Sequence, residues 1–142
     1  MTEISGDEGI SRARSQLNLE LQIPARVWRV QRLDRPGKAY YIIVFGDARA
    51  AVAVAAVDAG NGEVLISAVL PGTGPHLTVD ADKALQKATF KKDARAELVW
   101  RPCRFSRSPL YPFWQVSSGT QTVYVDQQGV VWQALEPAGP GG

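Results

Sequence analysis

The chain has 142 residues, 45% of them hydrophobic and 21% charged, with a net charge of +2. That composition fits one compact domain or two small units sharing a core, and it excludes wholesale disorder. The charge is too small by itself to argue for nucleic acid as a partner, a single cysteine excludes an intramolecular disulfide, and no apolar stretch approaches the roughly 20 residues that span a bilayer.

Residues 1–9 are acidic and polar, without the basic start and apolar run of a signal peptide, so they are expected to be flexible and the protein soluble and cytoplasmic. A helix is predicted over 10–21, with Ser11 as N-cap, Ile10, Ala13, Leu17 and Leu21 at helical spacing, and Pro24 as its stop. Strands follow at 27–33, 40–45, 51–57 and 63–70. The turns between them are Asp34-Arg35-Pro36-Gly37, Gly46-Asp47-Ala48-Arg49 and Asp58-Ala59-Gly60-Asn61-Gly62. The third of these strands is rich in alanine, but Val52, Val54, Val57 and the flanking turns favour an extended reading.

Residues 71–77 are a Gly/Pro-rich linker, and His76 within it is expected to be exposed. Thr78-Val79-Asp80 caps a second helix reaching about Phe90, with Ala81, Ala84, Leu85 and Ala88 on its apolar face. Strands are then predicted at 97–105, 113–117, 120–125 and 130–135, and the tail 137–142 is expected to be disordered. The order predicts an α+β fold of two repeats, 10–70 and 78–136, each one helix packed on an antiparallel sheet of about four strands.

A local match supports the repeat. Val27-Trp28-Arg29-Val30-Gln31-Arg32-Leu33-Asp34-Arg35 and Val99-Trp100-Arg101-Pro102-Cys103-Arg104-Phe105-Ser106-Arg107 share five of nine positions. Tyr41 and Asp58 then match Trp114 and Asp126, although 17 residues separate the first pair and 12 the second. In the second half, Phe113-Trp114-Gln115-Val116, Gly119 and Val123-Tyr124-Val125-Asp126-Gln127-Gln128-Gly129-Val130-Val131 resemble the PepSY family. Tyr40-Tyr41-Ile42-Ile43, Val57-Asp58 and Gly62-Glu63-Val64-Leu65 resemble it more loosely. The resemblance implies cystatin-like helix-plus-sheet units and a non-catalytic, inhibitor-like role towards a peptidase or another partner. Family members are often exported or membrane-attached, and no such signal is evident at this N-terminus.

The residue inventory points away from catalysis. His76 has no nucleophile or carboxylate motif beside it. Cys103, among arginines 101, 104 and 107, reads as a packed thiol because its counterpart is Gln31. Asp80 and Asp82 suit a helix N-terminus better than a metal. No phosphate-binding Gly-rich loop or hydrolase motif occurs, so no metal or cofactor is expected. The arginines read first as stems over tryptophan, with heads in solvent or paired to Asp34 and Glu97. The functional alternative is a basic, aromatic surface for an acidic partner, with Trp28, Arg29, Arg32, Trp100, Arg101, Arg104 and Trp132 as candidate partner-binding residues. Of Tyr111, Phe113, Trp114 and Trp132, the last is the one expected to remain partly exposed. The chain is therefore read as a non-enzymatic binding or regulatory module that recognises a protein partner through an edge strand or the arginine-tryptophan surface. The alternative is a small apolar ligand held between a helix and a curved sheet.

Overall fold

A computed structural model describes residues 2–90 and 93–136. The elements follow in the order α1 (Gly6–Leu17), β1 (Ala25–Arg32), β2 (Ala39–Asp47), β3 (Ala50–Asp58), β4 (Val64–Val69), α2 (Ala81–Ala88), β5 (Arg95–Trp100), β6 (Phe113–Ser118), β7 (Gln121–Val125) and β8 (Val131–Trp132). The fold is α+β, and the chain divides into two compact units. The first comprises Met1–Gln31 and Arg35–His76, the second Arg32–Asp34 and Leu77–Gly142.

In the first unit four antiparallel strands lie in the order β4-β3-β2-β1. Ala13 of α1 packs with Ile43, Phe45, Ala53, Ala55 and Val57, and Val27, Tyr41 and Val64 flank that cluster. Small residues set the spacing, since a Cβ on Gly9 would already stand 3.4 Å from Ile43 and Tyr41. Ala53 and Ala55 of β3 thus serve the close approach of α1. The opposite face of β2 and β3 (Tyr40, Ile42, Val44, Val54 and Ala56) is buried as well, which explains the near-continuous apolar run of β2.

The helix starts earlier than the periodicity suggests. The hydroxyl of Ser5, not Ser11, accepts the Glu8 N–H at 3.1 Å, with Asp7 and Glu8 in the first turn where negative charge opposes the helix dipole. Asn18, in the left-handed conformation, ends the helix well before Pro24, and its N–H turns back to carbonyls of the last turn. The expected flexible stretch is also tied down from residue 3 onwards. Ile4 N–H bonds to Ala59 O at 2.8 Å, Tyr41 OH donates to Ile4 O at 2.8 Å, and Arg29 holds Glu3 through two bonds of 3.0 and 2.8 Å.

In the second unit the order is β5-β6-β7-β8, again antiparallel, with α2 against β5, β6 and β7. Asp80 caps α2 by accepting the Lys83 N–H at 2.8 Å, and Thr89 in the left-handed conformation closes it just short of Phe90. The strand expected over 97–105 is shorter and begins earlier, because Pro102 supplies no N–H to a ladder; a single bridge, Cys103 to Ser106, follows it. The last strand is cut to Val131–Trp132, and the expected disordered tail 137–142 lies outside the described residues.

Two further expectations change. The Gly/Pro stretch is fastened to β3, with Gly72 N–H to Ala51 O and Ala51 N–H to Gly74 O, both 3.0 Å, and His76 is buried instead of exposed. The tryptophan-arginine match is also out of step with strand pairing. Tyr41 faces Arg29 across β1–β2, and Trp114 faces Leu98 across β5–β6. Taking Tyr41 with Trp114 therefore aligns Arg29 with Leu98 and not with Arg101. The discrepancy is three residues, and an odd shift moves a side chain to the other face of its sheet. Trp28 accordingly points away from α1, whereas Trp100 shares the face of Leu98 and Trp114 that packs under α2.

Candidate interaction site

The outer strand of the first unit is the most exposed apolar element in it. Val64 anchors β4 to the core beneath α1, while Leu65 and Ile66 are about 40% exposed and Val69 is 83% exposed. Pairing with β3 runs from Ala53↔Val69 to Ala56↔Ile66 and then slips between Ala56 and Val57, leaving Leu65 as the extra residue of a bulge. Leu70 N–H reaches Val52 O at 2.9 Å. Hydrogen-bonded and non-bonded positions alternate along an antiparallel pair, so Ala68 also bonds towards β3 and the N–H and C=O of Ser67 and Val69 point away from it. From Val64 to His76 the sequence contains no Asp, Glu, Lys or Arg, and no proline interrupts it before Pro71. Inward charges, lysines, prolines and bulges are the usual guards of a sheet edge, and β4 has only the bulge at Leu65. In the second unit, strand β8 is only two residues long, which protects that edge.

The sequence-nominated residues are scattered by the pleat. Trp28 is half-buried beneath the Arg26 guanidinium, 5.2 Å from its ring, and Arg29 lies on the opposite face of β1 with Glu3. In the second unit Trp100 is buried, and Arg32 stands 5.2 Å over its ring while holding Asp34 through bonds of 3.0 and 2.7 Å. Arg101 is partly buried. Arg104 reaches Glu136 at 3.8 Å and lies over Phe105, whose ring stacks on Trp132 at 3.7 Å. Trp132 Nε1 also donates to Asp126 at 2.9 Å and the ring is partly buried, whereas Tyr111, at 48%, is the most exposed of the four aromatics. Glu97, expected beside an arginine, accepts from Gln115 Nε2 at 3.0 Å. Cys103 is fully buried with its thiol towards Ser106 O. The structure thus groups Arg32 with Trp100, and Arg104 with Phe105 and Trp132. It sets Trp28 and Arg29 on opposite faces.

The Glu3–Arg29 pair gives a pH-dependent signature. The Arg29 hydrogen bond, aided by its charge and opposed by slight burial, holds the Glu3 carboxyl below its ordinary value of 4.5. A depressed folded-state value means the stabilisation is present above 4.5 and is lost as pH falls through the lower folded value. Both side chains are more than a third exposed, so solvent screening limits the effect to about 0.2–1 kcal/mol. Glu3→Gln is therefore expected to lower stability slightly at pH 7 and to match the parent in acid. Parallel urea curves at pH 7 and in acid check this, and a gap that widened in acid would contradict it.

Among the described residues no cluster of His, Cys, Asp and Glu could hold a metal ion, and no helix is long and apolar enough to cross a membrane. Grooves of the second unit carry mixed or polar linings: one of about 490 Å³ lies at the end of α2 between Lys87, Phe90, Gln121, Val131 and Gln133, and two others are smaller. One of about 250 Å³ is bordered by Arg95, Ala96, Glu97, Gln115 and Ser117. The other, of about 180 Å³, lies between Phe105, Tyr111 and Asp126.

The fold and this edge define the chain as an α+β protein with an open apolar strand. No family model matches it, and no curated protein matches it. Among solved structures it is similar to a "putative lipoprotein" from Clostridium difficile, at 12% identity and a TM-score of 0.38, covering 92% of this chain and 91% of that one.

Proposed function

We propose that this chain is a non-enzymatic binding module that takes an extended segment of a protein partner as an added strand on β4. The observation carrying the proposal is the outward-facing N–H and C=O of Ser67 and Val69 on an uncharged, exposed edge. Backbone hydrogen bonds supply affinity in strand addition, and alternate side chains supply selectivity. The arginine-tryptophan surface is the weaker route, because Trp100 is buried and the guanidinium groups of Arg29 and Arg32 already hold carboxylates. The apolar-ligand reading has the weaker support, because the grooves of the second unit carry mixed or polar linings.

The proposal extends to origin: two copies of one PepSY-like unit, each a helix followed by four strands. Support comes from contacts, not from the tryptophan motif. Tyr41 OH donates to the carbonyl of Ile4, the residue before the Ser5 cap; Trp114 Nε1 donates to the carbonyl of Val79, the residue before the Asp80 cap. Ile4 N–H bonds to the backbone carbonyl of Ala59 and Val79 N–H to the side-chain oxygen of Gln127, the residues following Asp58 and Asp126. Each of those aspartates accepts two backbone N–H groups within its own turn.

The test is Ser67→Pro. Proline removes an N–H that points away from β3, so the β3–β4 ladder is retained and the melting temperature is expected to stay within a few degrees. Partner retention from host lysate is expected to fall at least about tenfold, a change of about 1.4 kcal/mol. Retention unchanged by Ser67→Pro, in a variant that still melts like the parent, would remove β4 as the site.

A further inference from the structure

We infer that β4 also pairs with β4 of a second copy of this chain, in a weak, reversible antiparallel dimer that forms at high concentration and gives up the edge to a tighter-binding partner strand. This inference rests on the strand-addition reading and concerns the regulation of that same edge. An isologous pair requires a surface complementary to itself, and one register engages the outward groups of both Ser67 and Val69 on each copy. Ser67 and Val69 both present N–H and C=O outwards, so a twofold axis at Ala68 sets Ser67 opposite Val69 of the second copy on each side. That forms two hydrogen-bonded pairs around a central Ala68–Ala68 contact. The same register sets Ile66 opposite Leu70 and Leu65 opposite Pro71, so two of the three exposed apolar side chains of β4 meet apolar neighbours, while Val69 lies opposite the small Ser67.

Charge permits the arrangement. The nearest ionised side chain, Glu63, falls opposite Thr73, so the two Glu63 carboxylates stand ten positions apart along the ladder. That is on the order of 33 Å, well beyond the screening length at physiological salt. A short ladder and three apolar side chains bury less than the ~800 Å² per partner of a stable interface. Self-association is accordingly weak, with a dissociation constant on the order of 0.1–1 mM, which leaves the edge free for a partner that binds more tightly.

The experiment combines sedimentation equilibrium with disulfide trapping on the full chain. The native protein is expected to show a monomer–dimer equilibrium. Val69→Lys, which brings two like charges close to the axis, is expected to weaken it at least about tenfold. At a non-hydrogen-bonded antiparallel position the Cα atoms stand about 4.5 Å apart, within disulfide reach. Ala68→Cys is therefore expected to form a covalent dimer on mild oxidation, whereas Thr122→Cys, on the exposed surface of the second unit, stays monomeric. The native Cys103 is fully buried and does not compete. A protein monomeric at all concentrations, together with an Ala68→Cys variant that cross-links no faster than Thr122→Cys, would overturn self-pairing. Partner retention that is still lost in Ser67→Pro would then leave strand addition standing. Loss of neither dimer nor partner in Ser67→Pro would remove both.

Discussion

Trp114→Ala is expected to destabilise the second unit by about 3–5 kcal/mol, the range for removing a large aromatic from a packed interior. The indole is 8% exposed, lies between Leu98 on β5 and Val125 on β7, and donates at 2.7 Å to Val79 O just before the cap of α2. Its removal therefore opens a cavity and also frees the start of the helix. Trp114→Phe separates the two effects. Most of the ring volume is kept while the buried carbonyl of Val79 loses its donor, at a cost of about 1–3 kcal/mol. Tyr41→Phe removes the corresponding bond to Ile4 O in the first unit, but Tyr41 is only half-buried, water can replace it, and about 1 kcal/mol or less is expected. Urea unfolding followed by circular dichroism gives all three values. A Trp114→Phe variant as stable as the parent would show that the tie to Val79 contributes nothing beyond packing.

Gly46→Ala should be at least as damaging to the first unit, by about 3 kcal/mol or more. Gly46 sits at a register shift between β2 and β3 with a φ of +119°, a region that side-chain-bearing residues avoid. A Cβ there would lie 2.5 Å from Ala50 O and 2.9 Å from Val52 N, and backbone atoms cannot rotate out of the way as a side-chain tip can. Gly119→Ala is the matched control. Its φ is +59° in the turn between β6 and β7, yet nothing lies within 4 Å of the new methyl group, so only the conformational cost of about 1–2 kcal/mol applies. Three of the four tryptophans, Trp100, Trp114 and Trp132, belong to the second unit. Tryptophan emission would thus report Gly46→Ala weakly, and far-ultraviolet circular dichroism is the measurement to use. Equal losses for Gly46→Ala and Gly119→Ala would refute the steric part of the argument.

The order of helices and strands was legible in the chain because hydrophobic period and turn residues are local properties. Asp58 and Asp126 announce their hairpins with their own side chains, Asp80 announces α2, and the valines of β3 outweigh its alanines. The start of α1 was also legible, in Ser5-Gly6-Asp7-Glu8, but the apolar spacing farther on drew the boundary to Ile10. The open strand was half legible. A stretch from Val64 to His76 without charge can be read from the residues, but only the pairing with β3 shows which side of that strand is unoccupied.

What the sequence determined by itself was the alternation of elements, their turns and caps, and the absence of charge along β4, since each depends on residues a few positions apart. Only the tertiary structure decided register. It set Arg29 across from Tyr41 and Leu98 across from Trp114, put Trp28 and Trp100 on different faces with respect to their helices, and left Ser67 and Val69 facing outwards. A sheet's side chains alternate every residue, so a three-residue discrepancy invisible in a motif comparison reverses which groups meet the core and which meet a partner.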